Sequence, residues 1–155
     1  ERGSELDTGV VGSTLAVLIV DGSECGLLWA GDSRIYRQRG KSLDQLTVDH
    51  SFVNELINQG DLSTSEAASH PDANAITRAI GASYDLDLDQ AIESVNSGDR
   101  FLLCSDGLYR EVSNADLLDV MSSGRNTKDK MDRLLELALE GGGRDNISII
   151  VVEIR

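Results

Sequence analysis

Basic residues are scarce in this chain. Only 14 Lys and Arg stand against 27 Asp and Glu in 155 residues, giving a formal charge of −13 and a pI near 4.4. A free-standing nucleic-acid binder needs a basic contact face to neutralise phosphates, so that class is excluded. An anionic membrane surface would repel the chain as well. Long apolar runs are also missing: the longest, Leu15 to Val20, is far short of the roughly 20 residues of a spanning helix. No basic segment followed by an apolar one opens the chain. Cysteine is limited to Cys25 and Cys104, each beside an apolar run. They read as small core residues in a reducing, cytoplasmic setting, not as a disulfide framework. Three catalytic signatures are absent too. The sequence has no Gly-x-Ser-x-Gly elbow, no Gly-x-x-x-x-Gly-Lys-Ser/Thr loop and no Gly-x-Gly-x-x-Gly turn.

What is present suits one globular domain. The chain is 40% hydrophobic and 26% charged, enough apolar residue for a buried core. No repeat, Pro-rich linker or low-complexity run divides it, and Pro71 is the single proline. Charge is not spread evenly: residues 51–100 carry nine acids against two bases.

The first half reads as strands. Thr14 to Val20, an Asp21-Gly22 turn and Cys25 to Ala30 make a hairpin, and a turn at Gly31-Asp32-Ser33 leads to a short strand near Ile35-Tyr36. The unbroken apolar character predicts strands covered on both faces. Ser51 caps a helix with apolar Phe52, Val53, Leu56 and Ile57, stopped at Gly60. Ser63 and Glu66 have capping-box spacing for a second short helix, broken by His70-Pro71. A strand over Phe101–Cys104 follows. Ser113 with Asp116 opens a helix carrying Leu117, Leu118, Val120 and Met121. Asn126 precedes another whose apolar face is Met131, Leu134, Leu135, Ala138 and Leu139, stopped by Gly141 to Gly143. Ile147 to Ile154 closes the chain as a strand. Strands first and mixed elements later predict a layered α+β fold, not a regular βαβ alternation.

Four aspartates sit on short segments at predicted strand ends: Asp32, Asp49, Asp106 and Asp145. Carboxylates on loops fixed by a rigid sheet are how a hard-cation site is built. Each alone is also an ordinary turn residue, and Asp49 or Ser51 simply caps a helix. The two histidines, His50 and His70, have no Cys-His cluster beside them, so zinc is not expected, and solvent-facing or hydrogen-bonded loop positions are.

Six motifs then appear in a fixed order: Gly12-Ser-Thr14, Ala30-Gly-Asp-Ser-Arg34, Leu46-Thr-Val-Asp-His-Ser51, Thr77-Arg-Ala-Ile-Gly81, Leu102-Leu-Cys-Ser-Asp-Gly107 and Gly142-Gly-Arg-Asp-Asn146. Their order resembles the metal-dependent serine/threonine phosphatases of type 2C, the PPM family, and especially its bacterial members. The resemblance runs from about Val11 to the end. It implies a layered α-β-β-α sandwich of two mainly antiparallel sheets flanked by helices. It also implies a Mn2+ or Mg2+ pair at one end, with dephosphorylation of phosphoserine or phosphothreonine in proteins by an activated water. Position by position, Asp106 and Asp145 match metal ligands, and Asp32 matches an aspartate that serves a third metal in some members. Ser105 and Asn146 then support the ligands. Residues from Phe52 to about His70 match a flap where substrates are chosen.

The resemblance has a gap. The family's amino-terminal part carries a phosphate-gripping Arg, a Glu-Asp pair and an Asp-Gly-x-Gly-Gly motif, and none of these is in the chain. Glu1 to Val10 looks like the tail of that missing amino-terminal segment. Residues 1–155 are therefore expected to be the carboxy-terminal part of one phosphatase domain, inactive alone and with unpaired sheet edges. The parent would be an enzyme acting on a phosphoprotein and opposing a Ser/Thr kinase. The alternative is a non-catalytic, phosphatase-like binding or regulatory module.

Overall fold

The computed structural model describes residues 11–67, 70–85 and 87–155. The expected tail over residues 1–10 lies outside the described residues.

Strands β1 (Leu15–Asp21) and β2 (Glu24–Ala30) form the predicted hairpin, with Asp21 opposite Glu24 and Gly22 at φ 57° in the turn. β3 (Arg34–Arg39) and β4 (Ser42–Gln45) follow, then helices α1 (Phe52–Gln59) and α2 (Thr64–Ala67). β5 (Asp89–Ser94) and β6 (Arg100–Cys104) lead into α3 (Asp106–Tyr109), α4 (Asn114–Ser122), α5 (Thr127–Gly141) and β7 (Ile149–Glu153). The strands make two antiparallel sheets, ordered β1-β2-β5 and β4-β3-β6-β7. This is the layered α+β architecture expected from the sequence. Among the described residues no helix is long and apolar enough to cross a membrane.

Two apolar layers hold the molecule together. Between the sheets, Cys25, Leu27 and Trp29 of β2 meet Ile35, Phe101 and Leu103 of the other sheet. On the far face of the four-stranded sheet, Tyr36, Leu102 and Cys104 meet Leu117, Val120, Met121, Leu134 and Ala138 of α4 and α5. Full burial of each large apolar side chain is worth about 1.5–3 kcal/mol. Both cysteines are buried and unbridged.

The caps explain the helices. The Ser51 hydroxyl accepts from the Asn54 amide, and Gly60 closes α1 in the left-handed region at φ 83°. Ser113 and Asn126 accept from the Asp116 and Asp129 amides at the starts of α4 and α5. In the predicted α2 capping box, the Glu66 carboxylate reaches back to the Ser63 amide.

Two expectations need correction. The apolar run of β1 is not covered on both faces. Ile19 is 55% exposed, and Ile92 on β5 of the same sheet is 75% exposed. On α5, Leu134 and Ala138 are buried but Leu135 and Leu139 are not; fully buried Lys130 takes an inward position instead. Its ammonium donates to the Arg125 carbonyl at 2.7 Å and to Glu153 at 2.6 Å, so the buried charge is paired. Asp106, which alone could also be read as an ordinary turn residue, stands in the first turn of α3.

Candidate metal centre

The site begins where strands stop. β2 ends at Ala30, and Gly31 turns the chain at φ 98°; a Cβ there would lie 2.4 Å from the Thr14 methyl. That turn delivers Asp32 to the start of β3, where it is 8% exposed. Thr14 and Ser33 hydroxyls meet at 2.8 Å across the same corner. The Thr77–Gly81 motif packs here as well, since Ser13 and Ile80 exchange backbone hydrogen bonds and the Thr77 amide donates to the His50 carbonyl.

β6 ends at Cys104, and extended Ser105 passes the chain into α3, whose first residue is Asp106. Ser105 stitches this corner to the segment before β7. Its hydroxyl donates to the Asn146 carbonyl at 3.2 Å and accepts from the Ser148 amide at 2.9 Å. Gly107 allows the close approach: a Cβ there would stand 2.4 Å from the Asn146 oxygen. Asp145 is thereby fixed beside the Asp106 corner. It is exposed, and one of its carboxylate oxygens accepts from the Asn146 amide at 2.6 Å.

Asp32 and Asp145 line one cleft of about 720 Å³, with Asn54, Ala67 and Asn74 also on its wall. Asp106 joins the cleft through Arg110, which does line it. The Arg110 Nε lies 3.2 Å from an Asp106 oxygen, and its terminal nitrogen lies 3.6 Å from an Asp32 oxygen. Burial, and next the Asp106 charge, push the Asp32 carboxyl above its ordinary range, with Arg110 pulling it back.

A second network fixes Asp32 from beneath. The Tyr109 hydroxyl donates to the Asp32 carbonyl at 3.1 Å. The Tyr109 ring lies under the Arg34 guanidinium at 3.5 Å, and Arg34 also donates to the Tyr36 hydroxyl at 2.9 Å. Two Arg34 nitrogens grip the Asp49 carboxylate, the shorter bond at 2.7 Å. Asp49 is thus committed to an ion pair, and Ser51, not Asp49, caps α1. Burial pushes the Cys104 thiol up to about 12, so it is an inert core group.

His50 is buried. Its Nδ1 accepts from the Gly31 amide at 3.2 Å, and its Nε2 lies 3.1 Å from Asp89, whose carboxyl it helps to hold below the ordinary range. His70 accepts from the Asp72 amide at 3.1 Å and tilts against Phe52. Both are the hydrogen-bonded loop histidines expected.

Of the aspartates singled out in the sequence, Asp32 and Asp106 meet at Arg110, and Asp145 shares their cleft. Among the described residues, no three His, Cys, Asp or Glu side chains converge tightly enough to hold a metal ion. The donor chemistry nevertheless fits a hard cation, since every candidate is an oxygen donor, and the positive partner of the buried Asp32 beside Asp106 is Arg110. Sequence reading missed Arg34, Tyr109 and Arg110 as parts of the site. Arg34 left a signal as the last residue of the Ala30–Arg34 motif, and Arg110 left one because it stands four residues after Asp106 and acid–base pairs at that spacing meet on a helix.

Two antiparallel sheets flanked by helices, with carboxylates on the loops at strand ends, define the class of fold. The family profile described as protein phosphatase 2C matches residues 2–140. The chain belongs to the protein phosphatase 2C family. It is 37% identical over 150 residues to the serine/threonine phosphatase stp of Listeria welshimeri, covering 97% of this chain and 60% of that protein. Its fold is similar to that of the S. agalactiae serine/threonine phosphatase, with a TM-score of 0.94 at 36% identity, covering 99% of this chain and 64% of that one. It is likewise similar to the catalytic domain of serine threonine protein phosphatase PstP in complex with two manganese ions, with a TM-score of 0.83 at 33% identity, covering 97% and 62%. The chain thus spans between 29% and 60% of the length of the curated relatives it matches.

Proposed function

We propose that residues 1–155 supply part of the metal site of a serine/threonine protein phosphatase. The parent protein would also carry an amino-terminal portion like that of its relatives. The observation that carries this reading is the Ser105–Asn146 stitch, which brings the Asp106 and Asp145 segments together from positions 41 residues apart in Ser105 and Asn146.

In this reading Asp106 and Asp145 hold Mn2+ or Mg2+, and Asp32 serves a third ion. When bound, such ions neutralise phosphoryl oxygens and acidify water for in-line attack. The chain's own residues do the positioning. Ser105 and Asn146 fix the two carboxylate segments against each other, while Tyr109 and the Arg34–Asp49 pair hold Asp32 in place. The stretch 52–70 is the flap: Val53, Asn54 and Ile57 of α1 and Ala67 of α2 line the cleft and would contact the substrate protein. The substrate is a phosphoserine or phosphothreonine protein, modified by an opposing kinase in the cytoplasm. The similarity to serine/threonine and protein phosphatases supports the substrate class, and the two buried, unbridged cysteines suit a reducing setting.

One observation favours a second reading, a non-catalytic phosphatase-like module: Arg110, not a third carboxylate, completes the Asp32–Asp106 pair. Phosphate release from a phosphothreonine peptide with Mn2+, measured on this chain and on an amino-terminally extended protein, separates the two. The enzyme reading predicts turnover by the extended protein and almost none by residues 1–155. A folded extended protein without turnover would leave only the second reading.

A further inference from the structure

We propose that Arg110 is a built-in counter-ion of the Asp32–Asp106 pair, holding the two carboxylates together until a divalent cation displaces it. The inference rests on the metal-site reading above and concerns how this chain's own residues meet the ion.

The geometry comes first. Arg110 caps α3, and its guanidinium bridges two carboxylates that come from different strand ends, at 3.2 Å to Asp106 and 3.6 Å to Asp32. Asp106 is 25% exposed and Asp32 is buried, so water screens their mutual repulsion poorly. Two neighbouring carboxylates under such conditions either retain a proton or take a cation between them. The planar guanidinium fork is suited to touching both at once.

A third contact gives the arrangement a consequence. The remaining Arg110 nitrogen donates to the Asn74 side chain, which also lines the cleft. Asn74 precedes Ala75, whose carbonyl accepts from the Phe52 amide at the start of α1. Arg110 therefore ties the carboxylate pair to the turn beside the flap. A divalent cation taken up by the same oxygens shares them with a guanidinium of like charge, which raises the cost of uptake. Displacement of Arg110 weakens the carboxylate contacts and releases the Asn74 tie from that pair. Arg110 is in this account a positioning residue that tunes cation affinity and couples it to the flap wall.

The test uses the amino-terminally extended protein as the parent chain, with its Arg110→Gln and Arg110→Lys variants. Mn2+ uptake is followed by the loss of the free-ion EPR signal, and thermal unfolding is measured in EDTA. Asp32→Asn, alone and combined with Arg110→Gln, completes a double-mutant cycle in EDTA. Arg110→Gln is expected to lower the melting temperature without metal, by less when residue 32 is already Asn. It is expected to bind Mn2+ about tenfold more tightly than the parent chain, the scale of one like charge removed from a partly exposed site. Arg110→Lys should retain the parent affinity. A merely structural Arg110 would give weaker Mn2+ binding in Arg110→Gln and no coupling to Asp32. Either equal or weaker uptake by Arg110→Gln, with the parent chain binding, overturns the proposal alone. No uptake by any of the proteins overturns the metal-site reading and the proposal together.

Discussion

Gly107 sits so close to Asn146 that a methyl group on its α-carbon would lie 2.4 Å from the Asn146 carbonyl oxygen. This contact joins the segment after β6 to the segment before β7. It is why two of the candidate aspartates, Asp106 and Asp145, stand at one corner.

Gly107→Ala is therefore expected to push the 142–146 segment away. The backbone oxygen cannot move as a flexible side chain would, so overpacking should cost about 1–3 kcal/mol. Chemical denaturation would measure the loss. A stability equal to that of the parent chain would mean that the segment yields freely and does not fix Asp145.

Tyr109→Phe removes the hydroxyl that reaches the Asp32 carbonyl while keeping the ring beneath Arg34. The expected cost is about 0.5–1.5 kcal/mol, the net value of one hydrogen bond. The amide resonances of Asp32 and Ser33 should shift more than those of Asp49 in an NMR comparison. Equal shifts at all three would argue against a local role at Asp32.

Acid should weaken the fold through two carboxylates remote from the cleft. Hydrogen bonding from Arg39 holds the Asp99 carboxyl below its ordinary range, and hydrogen bonding from Lys130 does the same for Glu153. A lowered folded-state pKa means that the unfolded chain binds more protons. The stabilisation is therefore complete above the unfolded values of about 4 and is lost as pH falls through the lower folded ones. Melting temperatures measured from pH 6 to pH 3 should fall most steeply below about pH 4.5. Asp99→Asn should flatten that fall, and an unchanged slope in the variant would contradict the assignment.

The parts of the fold legible in the sequence were those with local causes. The β1–β2 hairpin follows from Asp21-Gly22 between apolar runs, and α1, α4 and α5 follow from Ser51, Ser113 and Asn126 at their caps. β4 and β5 left little trace, because Ser42–Gln45 and Asp89–Ser94 are largely polar and are strands through pairing with β3 and β2. The burial of β1 was misread since its apolar residues occupy both faces, and only tertiary structure decides which face is covered. The candidate carboxylates were visible as motifs. Their support was not, because Tyr109 meets Asp32 across 77 residues of chain and no spacing rule reaches that far.

The central claim, that the Asp106 and Asp145 corner holds a divalent cation, is tested most directly by anomalous scattering from crystals of the amino-terminally extended protein grown with Mn2+. The account predicts manganese peaks in contact with the Asp106 and Asp145 carboxylates, lost from that corner in Asp106→Asn. Manganese bound elsewhere, with these two carboxylates free of it, would contradict the account.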